Sequence, residues 1–321
     1  MNRLIRKTVI LACLELATGV DAAPTGAINA LQVSNLSITP LDAKNVDLAY
    51  IRPYFGNSES LVGTASVKCS FTVSLAGSGD AAIAPAWAPL LVACANAEVA
   101  GLAAPARTEF LPCTDLLQTL TIYWYDDGLL HKLLGCFGNV KLSAKSGEAP
   151  HLTFDFVGVD GGVAATANAQ AVLTNWKTPA PITRANVTDI TLGCGYADGA
   201  LVGGVKTNST GLTLDWGNAV AFVPMLSTEA VVLTDRKMKG TMSLQLSAAQ
   251  EAGFMAMVKA NTSQGVGFVI GNQPGNTILL HMPAVQLTTP KKEDTSGMRM
   301  IGFDMNVLPV LGNDELRIVC L

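Results

Sequence analysis

Charge is what this 321-residue chain has least of. Asp, Glu, Lys and Arg together make up 14% of it, against about 25% in an ordinary soluble domain. Histidine occurs three times and aromatic residues make up 6%, so the usual catalytic palette is thin. The 21 Lys and Arg against 25 Asp and Glu leave a net charge of −4, which excludes the basic face of a nucleic-acid reader. A run of about 20 strongly apolar residues, the minimum for a membrane span, is missing. The stretch 81–95 is mostly alanine, carries Pro85 and Pro89 and meets Asn96 and Glu98, which reads as a buried helix. The seven cysteines (13, 69, 94, 113, 136, 194, 320) include no C-x2-C pair, so a zinc knuckle or thioredoxin-type motif is excluded. Thiols scattered in this way read as reduced and mostly buried.

What is present is apolar and β-forming. Hydrophobic residues reach 49% and the mean hydropathy is +0.36, which excludes intrinsic disorder. A chain with so little charge to cover its surface is expected to bury much of that surface against other subunits. At roughly 150 residues per domain the length predicts two domains.

The N-terminus imitates a secretory signal: Arg3, Arg6 and Lys7 precede Val9-Ile10-Leu11-Ala12-Cys13-Leu14, and Asp21-Ala22-Ala23 resembles a cleavage site. Glu15 cuts the apolar core to six residues where about 7–15 are needed. Alternation from Thr8 to Leu16 fits a first strand, and residues 1–23 are expected to be retained.

An internal repeat organises the chain. Residues 120–142 match 265–287 at an offset of 145: Tyr123 falls on Phe268, Leu133 and Leu134 on Ile278 and Leu279, Leu142 on Leu287. Each segment reads as strand, turn (Asp126-Asp127-Gly128 or Asn272-Gln273-Pro274-Gly275) and strand. Downstream, 152–156 match 301–305 at an offset of 149, which predicts a loop four residues longer after Leu287. Upstream, 67–75 match 238–246 at an offset of 171, with Lys68 on Lys239. The first copy therefore carries about 26 extra residues around 95–116. A helix is predicted near 87–94 in the first copy. Another is predicted over 248–260 in the second, capped by Ser247, with Phe254, Met257 and Val258 on one face. The expected fold is mainly β, sandwich- or barrel-like, with one short helix per copy: a first domain over 1–165, a linker over 166–180 and a second domain over 181–321.

Chemistry is nearly absent. Residues 199–207 resemble a phosphate loop, but Val205 separates Gly204 from Lys206, so loop amides and lysine cannot converge on one phosphate; an inter-strand loop is expected instead. The adjacent carboxylates Asp126-Asp127 and Glu293-Asp294 read as solvated turn residues. His131, His151 and His281 have no metal-site or catalytic spacing, and no metal or cofactor is called for. The sequons at Asn35, Asn186, Asn208 and Asn261 have no meaning without secretion. Two long Gly-rich segments, 50–63 and 193–211, are expected to be loops, either functional or ordinary surface.

Several phrases have a family likeness: Arg6-Lys7-Thr8-Val9-Ile10-Leu11-Ala12, Pro24-Thr25-Gly26-Ala27, residues 31–40, Ile51-Arg52-Pro53-Tyr54-Phe55-Gly56-Asn57, and residues 71–79 with Ala84-Pro85-Ala86-Trp87. The chain resembles the major tail tube proteins of long, non-contractile-tailed bacteriophages in duplicated-domain form. The resemblance implies sandwiched sheets flanked by a helix, rings stacked around a lumen that passes DNA, and a duplicated chain forming trimers of pseudo-sixfold symmetry. It implies a virion protein of the tail, assembled in the bacterial cytoplasm. Its partners would be the tape measure protein, tail tip and terminator proteins, and DNA only transiently, with no membrane insertion of its own. An acidic balance suits a conduit, since a lumen that gripped phosphates would stall DNA. Under this reading the two loop regions make contacts between rings, through Arg52, Tyr54, Phe55 and Asn57 in the first and Tyr196, Asp198 and Lys206 in the second. The rival readings are a secreted or surface β-sandwich adhesin, which needs cleavage near Ala23, and an unrecognised enzyme, which needs convergent polar groups in a pocket.

Overall fold

Alternation with period two makes most of this chain strand. The computed structural model describes residues 2–321 and is mainly β, with two α-helices among those residues. The first half comprises β1 (Thr8–Leu14), β2 (Ser34–Asp47), β3 (Ser60–Ser74), α1 (Ala88–Val92), β4 (Asn96–Leu102), β5 (Arg107–Pro112), β6 (Leu120–Asp126), β7 (Leu129–Lys145) and β8 (His151–Ala165). Residues 166–180 hold no strand or helix. The second half comprises β9 (Ile190–Leu192), β10 (Gly195–Ala197), β11 (Ala200–Val202), β12 (Val205–Thr207), β13 (Ser209–Asp215), β14 (Asn218–Pro224), β15 (Glu229–Arg236), β16 (Lys239–Leu244), α2 (Ala248–Lys259), β17 (Ser263–Ile270), β18 (Ile278–Thr295), β19 (Met298–Leu308) and β20 (Arg317–Cys320).

The two halves run through the same antiparallel order. The first reads β2-β3-β8-β7-β6-β1, the second β13-β16-β19-β18-β17-β9, with β12 beyond β9. They are joined because β13 pairs with β16 on one edge and with the end of β7 on the other. β8 occupies one edge of β7 along most of its length, so β6 and β13 share the opposite edge, β6 at its start and β13 at its end. A second connection runs β18-β20-β5-β4. The extra residues around 95–116 are therefore a hairpin, β4–β5, that the C-terminal strand ties to the second half. One hydrophobic cluster spans both halves, from Ile10, Phe71 and Phe154 to Phe268, Phe303 and Ile318. Phe71, Phe154 and Phe156 pack within 6.1 Å of one another, ring to ring.

The register corrects one reading of the repeat. Ile301, the counterpart of Leu152, pairs with Lys292, and Leu287 pairs with Met305, whereas Leu142 pairs with Leu152. The additional residues of the second copy thus lie in the β17–β18 turn at 271–277 and not after Leu287, where β18 and β19 meet in a tight turn at 296–297. Up to Thr288 the slip is four residues, an even number that keeps every side chain on its own face and that apolar alternation cannot detect; the bulge between Thr288 and Lys291 makes it five, so Lys292 takes the place of Leu142.

The two helices lie where cap and pattern put them. Ser247 accepts from the Gln250 amide and Gln250 returns the bond to the Ser247 N–H, a reciprocal capping box that satisfies two orphan donors of the first turn. Phe254 stacks on Phe303 at 6.0 Å. α1 is shorter than its predicted span and buried at Ala88, Leu90, Leu91 and Val92.

β1 pairs with β6 over all seven of its residues, so the segment that imitates a signal is a core strand. Glu15 ends it as a buried anchor: its carboxylate accepts from Thr119 Oγ1 (2.6 Å), Thr121 Oγ1 (2.7 Å), Gly135 N (2.8 Å) and Gly19 N (2.7 Å). Four donors offset the desolvation of a buried carboxylate. All seven cysteines are unpaired, five of them buried; burial pushes the Cys94 and Cys136 thiols well above their ordinary value. No helix among the described residues is long and apolar enough to cross a membrane.

Candidate functional site

Strand alternation sends Phe71, Leu142, Phe154, Leu214, Met242 and Phe303 into the core, and therefore sends the intervening residues to the opposite face. At the junction of the halves that face is polar; along β1, β6 and the start of β7 it is apolar instead, where Leu11, Tyr123, Tyr125 and Leu130 form a second buried cluster. The Thr72 and Thr153 hydroxyls lie 3.1 Å apart, Ser70 donates to Asp155 at 2.7 Å, and Lys141 reaches Asp155 at 3.1 Å. Across the junction Thr213 and Thr241 lie 2.8 Å apart, Asn139 donates to Asp215 at 2.7 Å, and Ser243 donates to Glu293 at 2.7 Å. Glu293 and Asp294 belong to β18 and not to a turn, while Asp127 does sit in a turn, with φ 43°. The Lys141 ammonium, hydrogen-bonded to Asp155, is held above its ordinary value. No three His, Cys, Asp or Glu side chains gather as metal ligands among the described residues.

Several strands leave an edge open among the described residues, and two of these edges flank the joined sheet. β2, fourteen residues long, pairs with β3 alone. β18 beyond Gln286 pairs with β19 alone. Long free edges are templates for further strand addition. The chain thus combines a sheet face that is polar at the junction of its halves, open edges at β2 and β18, and an uninterrupted core over both halves. A family model described as phage tail tube protein matches residues 5–306. The chain belongs to that family. No relative among curated proteins matches it at a significant level.

Within this tail tube fold the residues singled out from sequence fall into two settings. Arg52, Tyr54, Phe55 and Asn57 lie on the loop between β2 and β3, all exposed; the Phe55 side chain is entirely in solvent, and the Arg52 guanidinium sits 5.9 Å from the Tyr50 ring centre. The second region, 193–211, is not a loop. It is folded into β10, β11, β12 and the start of β13, with Gly193, Gly199, Gly203 and Gly204 at positive φ making the tight turns between three-residue strands. Glycine content disguises these strands. Lys206, on β12, is exposed and lies opposite Thr191.

Tyr196 turns inward to a charged cluster, with Asp198 exposed at its rim. Glu109 of β5 is buried and accepts from Arg107 Nε at 2.6 Å, from Arg317 and from the Tyr196 hydroxyl. The Arg317 guanidinium lies 4.7 Å from the Tyr196 ring centre, and Asp198 stands 3.8 Å from Arg107. Burial alone would raise the Glu109 carboxyl, but the bonds from Tyr196 and Arg107 and the charge of Arg317 outweigh it and hold it below its ordinary value. His281 packs at 5.9 Å on Tyr196, and burial holds its imidazole below the usual range. The cluster fastens the first half's hairpin to β10 and β20 of the second. No spacing in the chain announces it, because its members come from 107–109, 196–198, 281 and 317.

The hairpin β14–β15 is likewise unmarked by any motif in the sequence. It leans across β7 and β8, and Val231 is buried there. Asn218 pins its base by donating to the Cys94 and Gly138 carbonyls at 2.9 and 3.0 Å.

Proposed function

We propose that this chain is a tail tube subunit with an internal duplication, that three copies close into a ring with six quasi-equivalent positions, and that rings stack into the tube that conducts DNA during ejection. The observation that supports this reading is the side-by-side union of the halves. Two units of the same strand order already share one sheet through β13 and β7, and each end of that sheet still has an open edge. Copies that add in one rotational sense close into a ring when the rotation divides the circle. The duplication takes 1–165 and 181–321 as its two units, with 166–180 between them.

The polar sheet face is assigned to the lumen. Lys141 is paired with Asp155 and Lys68 with Asp42, and Asp215 and Glu293 share the face, so its charge is mixed, whereas a wall of free cations would bind DNA tightly. Stacking contacts are assigned to Arg52, Tyr54, Phe55 and Asn57 on the β2–β3 loop, with Asp198 and Lys206 on the second half; the Tyr196 ring is committed to the Glu109 cluster and contributes its edge alone. Such a subunit is structural and not enzymatic. It meets the tape measure protein inside the tube, tail tip and terminator proteins at its ends, and DNA only in passing. It is assembled in the bacterial cytoplasm and resides in the virion tail.

Native mass spectrometry with negative-stain imaging tests this. The expected particle is a ring of three 33.4 kDa chains, stacked into tubes. Six chains per ring overturn the trimer, and a chain that stays monomeric overturns the tube reading.

A further inference from the structure

The seam inside the chain is a template for the one its free edges leave open. In it, Thr213 stands opposite Ser143, Leu214 opposite Leu142 and Asp215 opposite Lys141. The counterpart of β13 is β2: Asp215 pairs with Lys239 as Thr39 pairs with Lys68, and Thr213 pairs with Thr241 as Ser37 pairs with Ser70. Both strands break their ladder at a positive-φ residue in the same place, Gly211 at 131° and Asn35 at 52°. The counterpart of 141–145 is 291–295: Lys141 faces Thr153 and Leu142 faces Leu152, as Lys291 faces Gly302 and Lys292 faces Ile301. Both counterpart edges are unpaired among the described residues. Leu36 and Ile38 on β2 remain half-buried, whereas Leu212 and Leu214, covered by β7, are buried.

We infer that residues 35–39 of one chain pair antiparallel with residues 291–295 of a second copy, with Ser37 opposite Glu293 and Thr39 opposite Lys291. The inference rests on the self-assembly reading above and names the residues that carry it. Charge along 291–294 guards the free edge: Lys291, Lys292, Glu293 and Asp294 are all exposed, and charged edges resist indiscriminate strand addition. Pro40 follows the pairing stretch on β2 and has no N–H to extend the ladder. The same relation disposes of the exposed upper part of β2–β3. Its counterpart β14–β15 leans over β7 and β8, so Leu41, Val46, Leu61 and Val62, exposed in the single chain, lie over β18 and β19 of the neighbour.

Disulfide trapping tests the seam. The double variant Ser37→Cys/Glu293→Cys is compared with Ser143→Cys/Thr213→Cys, which reports the same geometry within one chain. In assembled particles, oxidation of the first is expected to give covalent dimers and trimers on non-reducing gels, while the control gives a cross-linked monomer. Particles that form yet stay uncross-linked, while the control closes, overturn this seam and leave the tube reading standing. A chain monomeric at every concentration overturns both. Amide exchange on the unaltered protein adds a check without substitution: assembly is expected to slow exchange at 36–39 and 292–295 by at least about tenfold, and unchanged rates overturn the pairing.

Discussion

Leu214 of β13 lies directly opposite Leu142 of β7, 2% and 1% exposed respectively, at the point where the two halves become one sheet. Truncating Leu214 to Ala removes buried apolar volume and is expected to cost about 2–5 kcal/mol of stability, seen as a lower urea midpoint. Ile38 holds the equivalent place at the open edge and is half-buried. Ile38→Ala is expected to change free-chain stability by less than about 1 kcal/mol yet to raise the concentration needed for assembly. Equal destabilisation of the free chain by both would contradict the equivalence.

The Glu15 carboxylate holds four donors below β1. Glu15→Leu strands two hydroxyls and two amides, and a loss of roughly 3 kcal/mol or more is expected in thermal or urea unfolding. The same packing predicts that virion protein retains 8–14, because removal would strip β6 of its partner. Intact mass decides this, and a mature chain beginning near Pro24 would refute it.

Glu109 gives a pH signature. Its folded value lies below the ordinary one, so its contribution is complete above the unfolded value of about 4.3 and is lost as pH falls through the lower folded value. Glu109→Gln is expected to be destabilised by about 3–5 kcal/mol near neutrality. The gap to the parent should narrow as pH falls below the unfolded value and close only below the lower folded value, where the parent's carboxylate also becomes protonated. A gap independent of pH would show that shape, not charge, holds β5 to β20.

The loop between β2 and β3 is the cheapest place to separate folding from stacking. Tyr54→Ala and Phe55→Ala remove exposed rings, so melting should move by no more than about 0.5 kcal/mol in free energy. Rings should still form but no longer elongate by negative-stain imaging. Replacement of 193–211 by a short turn has a different expected outcome: the chain should fail to fold, since the segment supplies β10, β11, β12 and the Tyr196 bond to Glu109.

Much of the fold is written in local rules that a linear chain displays directly. Alternation over Thr8–Leu16 marks β1, because period two is written residue by residue. Ser247 three residues before Gln250 marks the start of α2, because a cap needs only its own first turn. The mainly β fold with one helix in each half follows from composition and repeat. Other features are illegible for physical reasons. The strands of 193–211 hide behind glycines that serve only their turns, and β14–β15 corresponds to the upper part of β2–β3 by strand pairing alone, with no residue match to reveal it.

Side-chain alternation tells which face of a strand is buried and is blind to its edges, because every edge presents the same N–H and C=O groups. The four-residue slip in β18, the use of β13 to join the halves and the gathering of Arg107, Glu109, Tyr196 and Arg317 are all choices among edges or between distant segments. Only packing the whole chain around one core selects them: a register or a seam acquires its energy when Leu142, Leu214, Phe154 and Phe303 interlock at once.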